Sequence, residues 1–292
     1  MIKTLRQWIS RALALAVLGP LSAHVASGIV GIDGSAAHTL LTGDSAAGGI
    51  VALLIVGALT LVAGVTGTVL SDRREGFLAM GFVLGWVAWT SGRIGRIYLL
   101  APDPSTSIKL AAEGALLTAF VVLTAVLMSR SDDSDPITSF SLSRVKKWLG
   151  QQAMLTSLGA ALAAGAVIAW VFGSYDFPGQ STGVGFLAGI AAGVAGALAA
   201  GAVQGKSEHD GTPFAPMMLG VMLAGVLLPL LTIVYPGLGS IEELVLKGDL
   251  PGTMIVSPAA WLTGALLGVP MGHSWVEQTH AHANAQPASS GS

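Results

Sequence analysis

"AGGIVALLIVGALTLVAGVTGTVL", residues 47–70, contains no charged side chain and decides the fold. An α-helix crosses a hydrocarbon core in roughly 20 apolar residues, and this run is longer than that. Only helices and closed barrels satisfy every backbone polar group in lipid. A barrel strand would alternate over about 10 residues, and here no alternation is present. Seven further runs of comparable length occur, at approximately 12–31, 76–99, 110–130, 152–173, 184–205, 214–235 and 254–272. The sequence therefore predicts an all-α, polytopic membrane bundle of about eight transmembrane helices.

Composition points the same way. Of 292 residues, 52% are hydrophobic and only 10% are charged, with mean hydropathy +0.72. Soluble domains are about 25% charged, and so little polar surface cannot cover a water-soluble globule. The expected partner is the lipid bilayer. Net charge is −2 with no basic domain, so no nucleic-acid partner is expected. Cysteine is absent, which excludes disulfides, thiolate metal sites and a cysteine nucleophile. Glycine, at 39 residues, is about twice its usual frequency and lies mostly inside the apolar runs. In membranes it lets helices approach closely.

Orientation follows from the basic residues. With a cytoplasmic N-terminus, Lys3, Arg6, Arg11, Arg73, Arg74, Arg130, Arg144, Lys146, Lys147 and Lys206 lie inside. Arg93, Arg96, Lys109 and Lys247 lie outside. Both termini are then cytoplasmic, and a bacterial inner membrane is the expected host. The first run has a second reading: a basic head, a short apolar stretch and small residues near Ser27 also describe a cleavable signal peptide.

The runs suggest a duplication. Trp8, Leu15, Leu18 and Gly19 match Trp148, Leu155, Leu158 and Gly159, and residues 45–59 align with 181–195. Leu84-Gly85 matches Leu219-Gly220, and "GALL" recurs at 114–117 and 264–267. The expected organisation is a first four-helix repeat over 1–130, a cytoplasmic linker over 131–147, a second repeat over 148–275 and a disordered polar tail over 276–292. Four spans per half would give parallel repeats. Arg144, Lys146, Lys147 and Trp148 are expected at the headgroups.

Two clusters stand out. The sixth run carries Gly185, Gly189, Gly193, Gly201 and Gly205, with Ala197 completing a four-residue register. Small residues at that spacing make a flat face for tight packing, within the bundle or against a second protomer or membrane partner. The third run ends in "GWVAWTSGRIGRIYLL" (85–100), where Trp86, Trp89, Arg93 and Arg96 share one helical stripe. Trp89 and Arg93 could make a cation–π contact. Glu113 is the acid that falls inside a predicted run, at a depth similar to the arginines on an antiparallel neighbour. A charge in hydrocarbon costs about 3 kcal/mol or more unless paired. An Arg93/Arg96–Glu113 cluster facing the bundle interior, with Trp89, is therefore expected, and it offers a candidate solute or proton site, a reading that anchoring outweighs. Anchoring has Arg96 snorkelling to headgroups, and Glu113 near a helix N-terminus with Lys109 four residues away.

Other features carry structural readings. His24 is expected to hydrogen-bond a neighbouring helix. His273, Glu277, His280 and His282 near the tail, and "SEHD" (207–210), are weak metal signals, and no metal or other cofactor is expected. Pro20, Pro229 and Pro270 fall within runs and should kink or shape them. "SIEELVLKG" (240–248) carries a capping box in Ser240 and Glu243 and should form a short surface helix. No nucleophile–base constellation, His-Glu-x-x-His motif or phosphate loop is present, so enzymatic activity is not expected. The expected function is a small-solute secondary transporter or permease; the alternative is a non-transporting membrane scaffold, assembly partner or sensor subunit. A polar cavity lined by both halves would favour the first, and a solid Ala/Gly-packed centre the second.

Overall fold

A computed structural model of the chain describes residues 2–129, 151–173, 179–204, 214–234 and 240–285. Among the described residues the structure is helical and has no strands. The helices are α1 (Ile2–Leu13), α2 (Gly19–Ser27), α3 (Ala46–Leu70), α4 (Arg73–Thr90), α5 (Ile94–Leu100), α6 (Pro104–Ser129) and α7 (Gln152–Phe172). Then come α8 (Gln180–Gln204), α9 (Ala215–Val234), α10 (Ile241–Lys247), α11 (Pro258–Thr263) and α12 (Val269–Ala285).

Six segments are long and apolar enough to cross a membrane: Lys3–Ser27, which joins α1 to α2, and α3, α6, α7, α8 and α9. A bent pair, α4 with α5, makes a seventh if taken as one span. The expected count of eight is therefore reduced, for two physical reasons. The third run breaks at Ser91-Gly92, where Gly92 takes φ +100° and the helix resumes at a 47° bend. A glycine adopts that backbone without steric cost. The eighth run begins as a 3-10 turn, Gly252–Met254, and becomes α-helical only at Pro258. Every residue of α11 is buried by protein, so this segment does not need the hydropathy of a lipid-facing helix. By contrast, only 22% of the apolar window of α7 is buried, and Val167, Trp170 and Phe172 project from it. Large apolar side chains exposed in this way are at home in lipid.

Helix starts follow local chemistry. Ser45, Asp72, Ser240 and Ser257 cap α3, α4, α10 and α11 by accepting the backbone N–H of the residue three further on. Of the expected capping box only the Ser240 half forms, since the Glu243 carboxylate bonds Lys247 at 2.6 Å, and Gly248 ends α10 at φ +75°.

Two prolines are accommodated by wide turns. Residues Ala14–Leu18 and Gly264–Gly268 form single π-turns, each immediately before Pro20 or Pro270. A proline has no N–H, and its ring crowds the carbonyl four residues back. In both cases that carbonyl, of Ala16 or Leu266, lies in the widened turn. Gly19 N–H bonds Ala14 O, which leaves Leu15 O without its helical donor. The indole of Trp86 supplies one, Nε1–H to Leu15 O at 2.9 Å.

The halves are not separate bodies. α4 packs against α11, and α6 packs against α9 and α11, so residues from both ends of the chain share one core. At its centre Trp261 is fully buried, with Met217, Met218, Leu84 and Val87. The glycine face of α8 lies against α11, the second π-turn and α12. A methyl on Gly185 would strike Ala260 O, one on Gly189 would strike Gly264 O, and one on Gly193 would strike Val269 O. Gly201 meets nothing within 4 Å, so it is not part of that contact. Gly205 lies outside the described residues.

At the end of the bundle bearing α1, Arg11 grips Glu75 through two nitrogens, Nε–H to Oε2 at 3.0 Å and Nη2 to Oε1. Glu75 belongs to the first turn of α4 and is buried, one residue before the predicted run. The first span is thus docked on α4, and Ser22 Oγ donates to Val83 O at 3.1 Å. The helix α12 continues to Ala285, so the segment from 276, expected to be disordered, is helical over its first ten residues. The linker 131–147 with its flanking basic residues, "SEHD" and residues 286–292 lie outside the described residues.

Candidate functional site

The segment between α2 and α3, residues 28–45, does not run over the surface as a polar connection. Ala37, His38, Thr39, Leu40 and Thr42 are all buried. Leu40 is fully enclosed, and its backbone carbonyl occupies the space that the absent side chain of Gly49 leaves open. The segment is fixed at its tip by Gly92 N–H, which donates to His38 O at 2.9 Å. The Thr42 hydroxyl accepts from Thr39 N–H at 2.7 Å.

This inserted loop is where Glu113 finds its partner. The carboxylate is 1% exposed and accepts Leu41 N–H at 2.9 Å. The Thr39 hydroxyl and Leu40 N–H lie against the same group. A buried acid must be satisfied by hydrogen bonds or by charge. Here the Thr39 hydroxyl and the loop's backbone amides, Leu41 N–H foremost, serve the carboxyl group, and no guanidinium is involved.

The expected Arg93/Arg96–Glu113 cluster therefore does not form. The break at Gly92 turns α5 away from the stripe that an unbroken helix would have continued. Arg96 and Arg93 are exposed. Arg96 Nη2 bonds Asp33 Oδ2 at 2.9 Å. The guanidinium of Arg93 makes no hydrogen bond or ion pair among the described residues. Sequence reasoning missed Asp33, because a partner 63 residues away in a loop leaves no spacing signal.

Asp33 is held from the ordinary 3.8 down to about 2, first by hydrogen bonds from Ser35 and then by Arg96. A carboxyl whose folded value is depressed stabilises the fold above its ordinary value and loses that contribution as pH falls toward the depressed one. A spin label at the exposed position Ala36→Cys should report an unchanged loop from pH 7 to about 4, then loosening as pH falls toward about 2. The same label in Asp33→Asn should already be mobile at pH 7. An identical pH response in both would rule Asp33 out as the anchor.

Trp89 belongs to a different place. It is 58% exposed and lines a side cleft of about 600 Å³ with Leu15, Trp86, Thr182, Phe186 and Leu267. Gly179, at φ +80°, lies under its ring, where no side chain fits. Both π-turns reach this cleft, through Leu15 and Leu267. The cation–π contact with Arg93 is replaced elsewhere by one between Arg11 and Trp8, 5.7 Å from the ring centre.

The histidines divide. His24 is exposed, so the expected side-chain bond to a neighbouring helix is replaced by a surface position. His273 is buried beside Phe214, with Nδ1 3.7 Å from Glu277. His38 is 2% exposed and its Nδ1 has no hydrogen-bond partner. Burial lowers its pKa and keeps the ring neutral. Among the described residues, no three His, Asp or Glu side chains converge as a metal site would require.

Two features are thus distinct: the inserted loop on Glu113 and the Trp-lined cleft at the side. Comparison with known families, curated proteins and solved structures returns no match.

Proposed function

We propose that this multi-pass protein is a non-transporting membrane component: a scaffold, assembly partner or sensor subunit without enzymatic activity. The observation that carries this reading is the closed centre, where Ala188, Ala224, Ala260 and Trp261 are all fully buried. Backbone-to-backbone contact of α8 with the C-terminal helices leaves no solute-sized polar path along that seam. The open part of α8, with Leu187, Leu198, Gly201 and Val203 unburied, suits a second protomer or another membrane helix. The basic residues Lys3, Arg6 and Arg11 before the first span support a cytoplasmic N-terminus and a bacterial inner membrane as host; a cytoplasmic C-terminus goes with an even number of crossings.

A second reading, a small-solute transporter, is favoured by one observation: a buried His38 whose Nδ1 has no hydrogen-bond partner, close in sequence to the donors of Glu113. The two readings separate on substituted cysteines, because the native chain has none. Ala224→Cys and Ala260→Cys in sealed vesicles should resist a membrane-impermeant thiol reagent from both sides, while Lys247→Cys reacts from one. Labelling of either central position would establish a water path and favour transport.

A further inference from the structure

We infer that the cleft between α5 and α10 is a binding site for an anionic lipid, with its phosphate-bearing headgroup held by Arg93, Arg96 and Lys247. The cleft has a volume of about 780 Å³. Among the described residues its wall presents those three cations and no carboxylate. Asp33 and Glu243, which pair with Arg96 and Lys247, are not part of the lining.

The pairings leave donors to spare. A guanidinium has five N–H groups and an ammonium three, and only one nitrogen of Arg96 contacts Asp33. Arg93 retains its full set. Guanidinium forks match phosphate oxygens geometrically.

The rest of the wall is apolar, from Leu99, Leu100, Val245 and Leu246. Leu246 is 70% exposed although it adjoins Lys247. A free inorganic anion has no use for such a surface, whereas an acyl chain beneath a headgroup does. The depth also fits. Lys247 lies in the connection after the candidate span α9, which ends at Val234, and Arg93 and Arg96 lie past the break that ends α4, outside the uninterrupted apolar helices. The site is preformed, because Ile97 and Tyr98 of α5 pack with Ile241, Leu244 and Val245 of α10 in one small core. The inference does not depend on whether the centre of the bundle opens.

The test uses the purified full-length protein in non-ionic detergent, offered equal amounts of dioleoylphosphatidylglycerol and dioleoylphosphatidylcholine. Native mass spectrometry reads the lipid retained. Phosphatidylglycerol should be kept about tenfold or more over phosphatidylcholine, and R93Q, R96Q and K247Q should each lose about fivefold. L246S should weaken retention while all three cations remain, and 10 mM inorganic phosphate should displace nothing. Equal retention of the two lipids would overturn the inference, as would wild-type retention in R93Q, whose side chain has no bond to lose. Displacement by inorganic phosphate would make the cleft a free-anion site instead.

Discussion

Glu113→Ala should destabilise the protein by about 3 kcal/mol and release residues 28–45. The alanine leaves Leu41 N–H buried without an acceptor, a loss of about 1–3 kcal/mol. It also leaves a void where a whole side chain was enclosed, which adds to the cost. Glu113→Gln retains a carbonyl oxygen for the same donor and should lose about 1 kcal/mol. The measurement is equilibrium unfolding in mixed micelles, with limited proteolysis between Asp33 and Asp44 as the local readout. Alanine should expose that segment and glutamine should not. If both variants leave proteolysis unchanged, the loop is held by Leu40 packing and the carboxylate is incidental.

Gly189→Ala should cost at least about 2 kcal/mol, because the added methyl meets backbone and not a movable side chain. Gly264→Ala attacks the same contact from the other helix, since its methyl would strike Gly185 O. The two losses should not add, because one shift of α8 away from the C-terminal helices relieves both. Gly201→Ala is the control: nothing lies within 4 Å, and its effect should stay within about 0.5 kcal/mol. Thermal denaturation in detergent distinguishes the three. Equal tolerance at 189 and 201 would mean that the helices are not held at backbone contact.

What the sequence made legible, and what it hid, can be traced to particular residues. Long uncharged runs declare helices in lipid because hydrocarbon penalises unpaired backbone groups wherever it is met. They do not declare where a helix breaks. Gly92 resembles many other glycines in the chain, and its positive φ, with Ser91 and Arg93 also non-helical, separates α4 from α5. The segment from 254 reads as a span by composition, yet its neighbours bury it. Period-four glycines marked the face of α8 that meets the C-terminal helices, but periodicity alone could not say that the contact stops before Gly201. Glu113 stood out as an acid in an apolar run. Its partner did not, because backbone amides carry no residue signature and any loop can supply them. The same limit hid the Arg96–Asp33 pair. Glu75 fell one residue outside the predicted run, although Asp72 and Glu75 have the spacing of a helix-start capping box and could have extended it.

The loop on Glu113 also dictates an order of biogenesis. Its amide donor emerges from the ribosome 72 residues before the carboxylate that receives it. During translation residues 28–45 must wait, undocked, while two later segments enter the bilayer. The loop made early therefore completes its contacts only once α6 is made, and a nascent chain halted before α6 carries an unfinished first hairpin.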